Sequence, residues 1–100
     1  MLKHIVFFRF REDVREEAIE TVSKKLYGLE ERIDLIRSIE IGKDVLRRDQ
    51  SFDLALTITF DSLEEYKQYD VHPAHVEVKN YILSVRKETV SVDYIINTAL

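Results

Sequence analysis

Residues 52–60 carry the clearest pattern of the chain, a strict alternation of two kinds of side chain. On one side of this segment all side chains are large and apolar: Phe52, Leu54, Leu56, Ile58 and Phe60. Because successive side chains of a β-strand point to opposite faces, this period of two predicts a strand with one face in a core. The chain must therefore build a sheet and cover one of its faces.

Three further strands and a long helix are predicted around this segment. Residues 3–10 are β-branched and aromatic, residues 36–45 resemble a shorter strand, and residues 89–96 alternate again. Residues 14–33 change to helical spacing, with an apolar stripe on one side and charged residues on the other. The stripe consists of Ala18, Ile19, Val22, Leu26, Leu29 and Ile33.

The second helical region is interrupted by the only proline of the chain. Ser62 and Glu65 have the spacing of a capping box, which predicts a helix that starts at Ser62. Pro73 disfavours helical geometry in the residue before it and has no amide hydrogen, so this helix should end near Asp70. Proline suits the first turn of a helix, and a second segment is therefore predicted from Pro73 to about Arg86.

The element order β-α-β-β-α-β is that of an α+β ferredoxin-like fold, in which helices cover one face of an antiparallel sheet. The 100 residues, 1–100, suffice for a single domain. The helix-facing side is predicted to carry Val6, Phe8, Leu54, Leu56, Ile58, Val90 and Val92. The opposite side is predicted to carry Ile5, Phe7, Arg9, Ala55, Thr57, Thr59 and Ile95. Several of these are too apolar for water, which predicts a homodimer that covers this face.

Composition narrows the classes of function. The chain has no cysteine, which excludes disulfides and thiol catalysis and fits a cytoplasmic location. A net charge of −4 without an aromatic-basic stripe disfavours nucleic acid, and no apolar run approaches the length of a membrane span. With only two glycines there is no phosphate-binding loop, so no nucleotide cofactor is expected. Small molecules and other proteins remain as partners.

The stretch from Tyr69 to His75, Tyr-Asp-Val-His-Pro-Ala-His, is the most distinctive chemical feature. Histidine titrates near neutral pH, so His75 is a candidate general base. Tyr69 is a candidate hydrogen-bond donor to a carbonyl oxygen. The alternative is that His75 packs or caps at the start of the second helix segment and that Tyr69 lies at the margin of the core.

The other two histidines are weaker candidates. His72 stands immediately before the proline, where its side chain can bond backbone groups left free at the helix break, and this role is favoured over ligand contact. His4 shares strand parity with Val6 and Phe8, so it should face the helices. There it is either a core histidine or part of a pocket wall.

Metal binding is only weakly indicated. His72 and His75 stand three residues apart, whereas the preferred helical pair of metal ligands stands four apart. Asp53 and Asp93 are expected on the dimer-facing side of the sheet, where they would form polar pairs with Arg9. No metal site is therefore predicted.

The chain resembles the stress-responsive α/β-barrel (Dabb) domain family over nearly its whole length. The most specific part is the Tyr-x-x-His-Pro-x-His signature from Tyr69 to His75. The supporting pieces are Lys3 to Phe10, Gly42 to Asp44, Phe52 to Leu56 and Phe60 to Glu65. The resemblance implies a dimer in which two ferredoxin-like subunits join their sheets into a shared α/β barrel.

The family includes stress-induced proteins without a settled activity and a plant polyketide cyclase that closes a linear tetraketide by aldol condensation without a cofactor. By motif position, the resemblance implies acid–base roles for Tyr69 and His75 and a pocket-lining role for His4. Another pocket histidine of the cyclase falls at Leu54 in this chain, which departs from the family pattern and from that specific activity.

These observations lead to the hypothesis of a cytoplasmic, small-molecule-binding Dabb-domain protein. Its candidate activity is cofactor-independent acid–base catalysis on an apolar carbonyl compound. The catalytic candidates are Tyr69 and His75. The ligand-binding candidates are His4, Val6, Phe8, Leu54 and His72. One alternative is a non-catalytic stress-response or structural dimer, and another is a cofactor-independent monooxygenase. The residues alone leave open whether the protein is catalytic.

Overall fold

The computed structural model describes residues 1–96, which form a four-stranded antiparallel sheet and three α-helices. The strands are β1 (Leu2–Phe10), β2 (Ser38–Lys43), β3 (Leu54–Phe60) and β4 (Arg86–Ile95). The helices are α1 (Arg15–Arg32), α2 (Leu63–Asp70) and α3 (Pro73–Val85), and a short 3-10 turn (Glu12–Val14) precedes α1. The strand order β2-β3-β1-β4 confirms the predicted ferredoxin-like fold. None of the helices within residues 1–96 is long and apolar enough to cross a membrane.

The core lies between the helices and one face of the sheet. In the central pair of strands, Val6 lies opposite Leu56 and Phe8 opposite Leu54, and directly opposed residues point to the same face. The helices contribute the apolar stripe predicted for α1 together with Val78 and Ile82 of α3. Burying each of these larger side chains contributes about 1.5–3 kcal/mol to the free energy of unfolding. The helix-covered face of β1 and β3 is therefore the one that the sequence predicts.

The predicted orientation of β4 is wrong. Val90 lies opposite Phe7 and Val92 opposite Ile5, so both valines point away from the helices. The helix-facing row of β4 is instead the more polar one: Thr89, Ser91, Asp93 and Ile95. The prediction assumed that the more apolar row of a strand faces the core. In β4 the apolar row belongs to the face that the helices leave open.

This open face is strongly apolar. Phe7, Val90 and Val92 are 43%, 40% and 55% exposed, and Ile5 lies among them. No helix within residues 1–96 packs over these side chains. Contiguous apolar patches of this kind mark surfaces that bind another protein.

The ion pairs near the end of β1 also differ from the prediction. Arg9 pairs with Glu88 on the neighbouring strand (3.1 Å), and its guanidinium lies 4.2 Å from the ring centre of Phe52. Asp53 accepts a hydrogen bond from the Phe10 amide instead (2.9 Å). Asp93 faces the helices, so neither aspartate pairs with Arg9. The error follows from the inverted orientation of β4 and from the backbone amide that satisfies Asp53.

The break between α2 and α3 is where the sequence predicts it. The Ser62 hydroxyl caps α2 by accepting from the Glu64 amide (3.2 Å), and α2 ends at Asp70. Pro73 is the first residue of α3, and His72 Nδ1 accepts from the Ala74 amide (3.0 Å). A serine cap such as that of Ser62 contributes about 1 kcal/mol to stability. The motif thus turns the chain between two short helices that pack on the same side of the sheet.

Candidate functional site

Tyr69, His75 and His4 line one cavity of about 190 Å³ between the sheet and the helices α2 and α3. Tyr69 is the penultimate residue of α2, His75 lies in the first turn of α3, and His4 projects from β1. The remaining wall is mainly apolar, formed by Val6, Phe8, Leu26, Leu56, Val78 and Ile82. The helix break therefore brings the two ends of the motif together over the central strand.

Tyr69 is almost completely buried, at 1% exposure. Its ring centre lies 4.3 Å from that of His75 and 4.9 Å from that of Phe60. Burial raises the pKa of the Tyr69 phenol well above its ordinary value, and the nearby Tyr66 and Asp70 add to the rise. The phenol is therefore protonated at neutral pH, and no group within residues 1–96 is hydrogen-bonded to it. It is available to donate to an oxygen of a bound molecule.

His75 Nδ1 lies 3.0 Å from the carbonyl oxygen of Asp70. A carbonyl oxygen only accepts, so the hydrogen of the neutral ring is assigned to Nδ1 and the lone pair to Nε2. Burial lowers the pKa of His75, and the positive charge of Lys79 acts in the same direction. These effects outweigh the backbone hydrogen bond and the negative charge of Asp70, which both act to raise the pKa of His75. His75 is therefore neutral at pH 7, with an unprotonated Nε2.

His4 forms a hydrogen-bonded pair with Asp93, Nδ1 to Oδ1, across the β1–β4 ladder. The carboxylate fixes the orientation of the imidazole, as carboxylates bonded to a histidine ring nitrogen do in other proteins. The His4 ring centre lies 5.0 Å from that of Tyr66 and 6.4 Å from that of Tyr69. Asp93 was missed as a partner of His4 because β4 was oriented the wrong way. Asp93 alternates in step with Thr89 and Ser91 along the strand. This shared polar row was the sequence signal that these three residues face the helices.

Tyr66 and Thr89 are among the further polar residues that border the cavity, and sequence reasoning did not propose either as a site residue. Tyr66 of α2 is partly buried, and burial together with the charges of Asp70 and Asp93 raises the pKa of its phenol. The Thr89 hydroxyl is buried and has no hydrogen-bond partner within residues 1–96. A buried polar group without a partner is costly, so a ligand that bonds this hydroxyl would gain affinity.

Two of the ligand-binding candidates do not reach the cavity. Leu54 is buried opposite Phe8 but is not among the side chains that line this space, whereas Leu56 is. His72 is occupied by its cap on α3 and also lies outside the cavity wall. Val6 and Phe8 do line it. Residues 1–96 contain no group of three or more histidine, aspartate or glutamate side chains arranged to hold a metal ion.

The chain is similar to known proteins over nearly its whole length. A family model described as "Stress Responsive A/B Barrel Domain" matches residues 2–96. A stress-response A/B barrel domain-containing protein of Arabidopsis thaliana is 32% identical over 92% of this chain and 83% of its own length. Olivetolic acid cyclase of Cannabis sativa is 26% identical over 93% of this chain and 94% of its own length.

A solved structure extends the comparison to the fold. A dimeric protein of unknown function with a ferredoxin-like fold, from Bacteroides fragilis, is 31% identical and superposes with a TM-score of 0.80. The match covers 95% of each chain. This structural match therefore extends over nearly the whole chain rather than a local motif.

The environment of His75 predicts how it titrates. Because burial lowers its pKa, we expect the imidazole to titrate below the ordinary value of 6.5, which ¹⁵N-resolved NMR of the ring measures directly. The unfolded chain then binds the proton more readily than the folded protein. The stability associated with neutral His75 is therefore fully present above about pH 6.5 and is lost as the pH falls through the lowered pKa. An imidazole that titrates above 6.5 would contradict this description of the site.

Proposed function

This chain belongs to the stress responsive A/B barrel (Dabb) family, as its sequence predicts, and from that premise we propose that it binds a small apolar carbonyl compound and acts on it by cofactor-independent acid–base catalysis. The observation that carries the proposal is the convergence of His75, Tyr69 and His4 on one mainly apolar cavity. A cavity of this kind, with a few converging polar groups, is the usual form of a small-molecule site. A relative, olivetolic acid cyclase, is an enzyme by name, which supports a catalytic role.

The proposed reaction is proton transfer next to a carbonyl group. His75 Nε2 removes the proton from the adjacent carbon, and the electron pair of the C–H bond forms the double bond of an enolate. The Tyr69 hydroxyl donates a hydrogen bond to the oxygen on which negative charge develops. The imidazolium of His75 then returns a proton to the enolate carbon, which restores the carbonyl and the neutral imidazole.

The two groups divide the roles according to their protonation. His75 has a lowered pKa and is neutral, so it can accept a proton at pH 7. Tyr69 has a raised pKa and keeps its proton, so it serves as the donor. His4, held by Asp93, lies beside Tyr69 as part of the wall that contacts the ligand. Opposite shifts in neighbouring groups are the arrangement by which one site separates base from donor.

The size of the cavity limits the ligand. A cavity of about 150 Å³ holds a benzene molecule, and pockets for drug-sized ligands have about 300–1,000 Å³. The space of about 190 Å³ therefore suits one substituted ring or a chain of similar bulk.

A second candidate function is a non-catalytic stress-response or structural dimer. It is favoured by the architectural contacts of the motif, in which His72 caps α3 and His75 bonds the Asp70 carbonyl. Under this hypothesis the cavity binds no carbonyl compound, and substitution of Tyr69 or His75 alters stability alone.

Solvent exchange of a ketone separates the two functions. Acetophenone in D₂O should exchange the protons of its methyl group faster with the protein than with buffer, as followed by ¹H NMR. We expect His75→Ala to reduce this acceleration by about 100-fold, the lower end of what a positioned general base supplies, and Tyr69→Phe to reduce it as well.

The chain offers matched controls for both substitutions. His72→Asn removes a histidine of the motif but keeps a capping side chain, and Tyr27→Phe removes an exposed hydroxyl outside the cavity. Both should retain the rate of the original protein. Full acceleration in His75→Ala would refute the role of His75. No acceleration and no acetophenone binding by any variant would favour the structural dimer.

We also propose that a second copy of the chain covers the open face of the sheet. The face is apolar at Phe7, Val90 and Val92, and the Bacteroides fragilis relative is described as dimeric. If two copies of the chain pack these patches against each other, both patches are removed from water.

A single charge on this face tests the dimer. Analytical ultracentrifugation at micromolar concentration should give twice the monomer mass for the original protein and the monomer mass for Val92→Lys. Val76→Lys places the same change on α3 at a partly exposed position away from the sheet and should remain dimeric. An unsubstituted protein that sediments as a monomer would rule out the dimer.

A further inference from the structure

The mouth of the cavity carries two positive charges. Lys79, Leu83 and Arg86 line it along one side of α3 and its C-terminal cap, at spacings of four and three residues. Residues at these spacings lie above one another on a helix. Leu83 is exposed between the two cations at 47%. An apolar interior thus leads to a rim on which an apolar side chain stands between two charged ones.

The two rim charges are not neutralised locally. Neither Lys79 nor Arg86 forms an ion pair with a carboxylate of residues 1–96, whereas Arg9, Arg15 and other arginines do. Asp93 is engaged with His4, and Asp70 is the one acidic residue in the part of the cavity wall that the structure describes. The rim is therefore positive although the whole chain carries a net charge of −4.

The charge of Lys79 also reaches the interior, since it contributes to the lowering of the pKa of His75. Lys79 and His75 therefore share one electrostatic environment.

We propose that the ligand of this cavity carries an anionic oxygen group, a carboxylate or a phosphate, which Lys79 and Arg86 hold at the mouth while the apolar part lies inside. A guanidinium matches both anions with two parallel hydrogen bonds, and an ammonium adds a compact point charge. A neutral ligand of the same shape can accept a hydrogen bond from these groups but lacks the attraction between opposite charges. This inference rests on the proposed function, because it concerns the specificity of the same site.

Three probes with one scaffold test the charge requirement. The carboxylate 4-acetylbenzoate, 4-acetylphenyl phosphate and the neutral methyl 4-acetylbenzoate share the acetophenone body and differ at the far end. Dissociation constants are measured by NMR titration in low and high KCl. We expect at least one anion to bind about three- to tenfold more tightly than the ester, the range that partly exposed ion pairs supply. Whichever anion binds more tightly identifies the group, and high KCl should reduce its advantage.

Methionine substitutions test the residues. Lys79→Met and Arg86→Met keep an apolar stem of similar length, and the double variant should bind the preferred anion about as weakly as the ester. Affinity for the ester should stay the same. Lys87→Met and Lys67→Met remove exposed charges that do not line the cavity, and they should leave the preference intact.

The outcomes separate this inference from the proposed function. Equal binding of anions and ester by the original protein, with acetophenone exchange retained, would overturn the inference alone. A loss of anion affinity in Lys87→Met or Lys67→Met equal to that in the double variant would also overturn it, because it would show general attraction by surface charge. If none of the probes nor acetophenone binds, both proposals fail.

Discussion

No helix can continue unbroken from residue 69 to residue 75, because Pro73 lacks an amide hydrogen and clashes with the preceding turn. His72 stabilises the break by capping α3 through Nδ1, and the two helices on either side pack on the same face of the sheet. Tyr69 therefore lies in the last turn of one helix and His75 in the first turn of the next, with their ring centres 4.3 Å apart. The contact between Tyr69 and His75 depends on this turn.

The sheet supplies the opposite wall of the same site. β1 is a central strand, so His4 is enclosed by neighbours on both sides and meets Asp93 directly across the ladder. The two faces of this sheet differ in what they can do. One face forms the core and the cavity, and the other presents an apolar surface at Phe7 and Val92.

The sequence was sufficient for the element order, the helix break and the location of Tyr69 and His75, because each depends on local patterns such as Pro73 and the alternation of residues 52–60. It was insufficient for β4. Both rows of that strand meet a favourable environment, since Val90 and Val92 lie on the open face while Asp93 meets His4. The rule that apolar residues face the core fails where a second apolar surface exists. The pairing register brings together His4 and Asp93, which are 89 positions apart in the sequence. Local periodicity does not predict such a pairing.

The site also shows how structural and chemical roles coincide in one motif. The contact of His75 Nδ1 with the Asp70 carbonyl belongs to the helix break, yet it also directs the lone pair of the neutral ring to Nε2. Burial that completes the core raises the pKa of Tyr69 and lowers that of His75. The packing that builds the fold thus places a neutral imidazole and a protonated phenol side by side.

The acid–base function requires a carbonyl ligand in the cavity between the sheet and the helices. Isotope-filtered NOE spectroscopy of unlabelled acetophenone with uniformly labelled protein locates the bound ligand. We expect NOEs from the ligand to the rings of Tyr69 and His75 and to the methyl groups of Leu56 and Val78. NOEs confined to Phe7 and Phe52, which border a separate recess, would contradict this expectation.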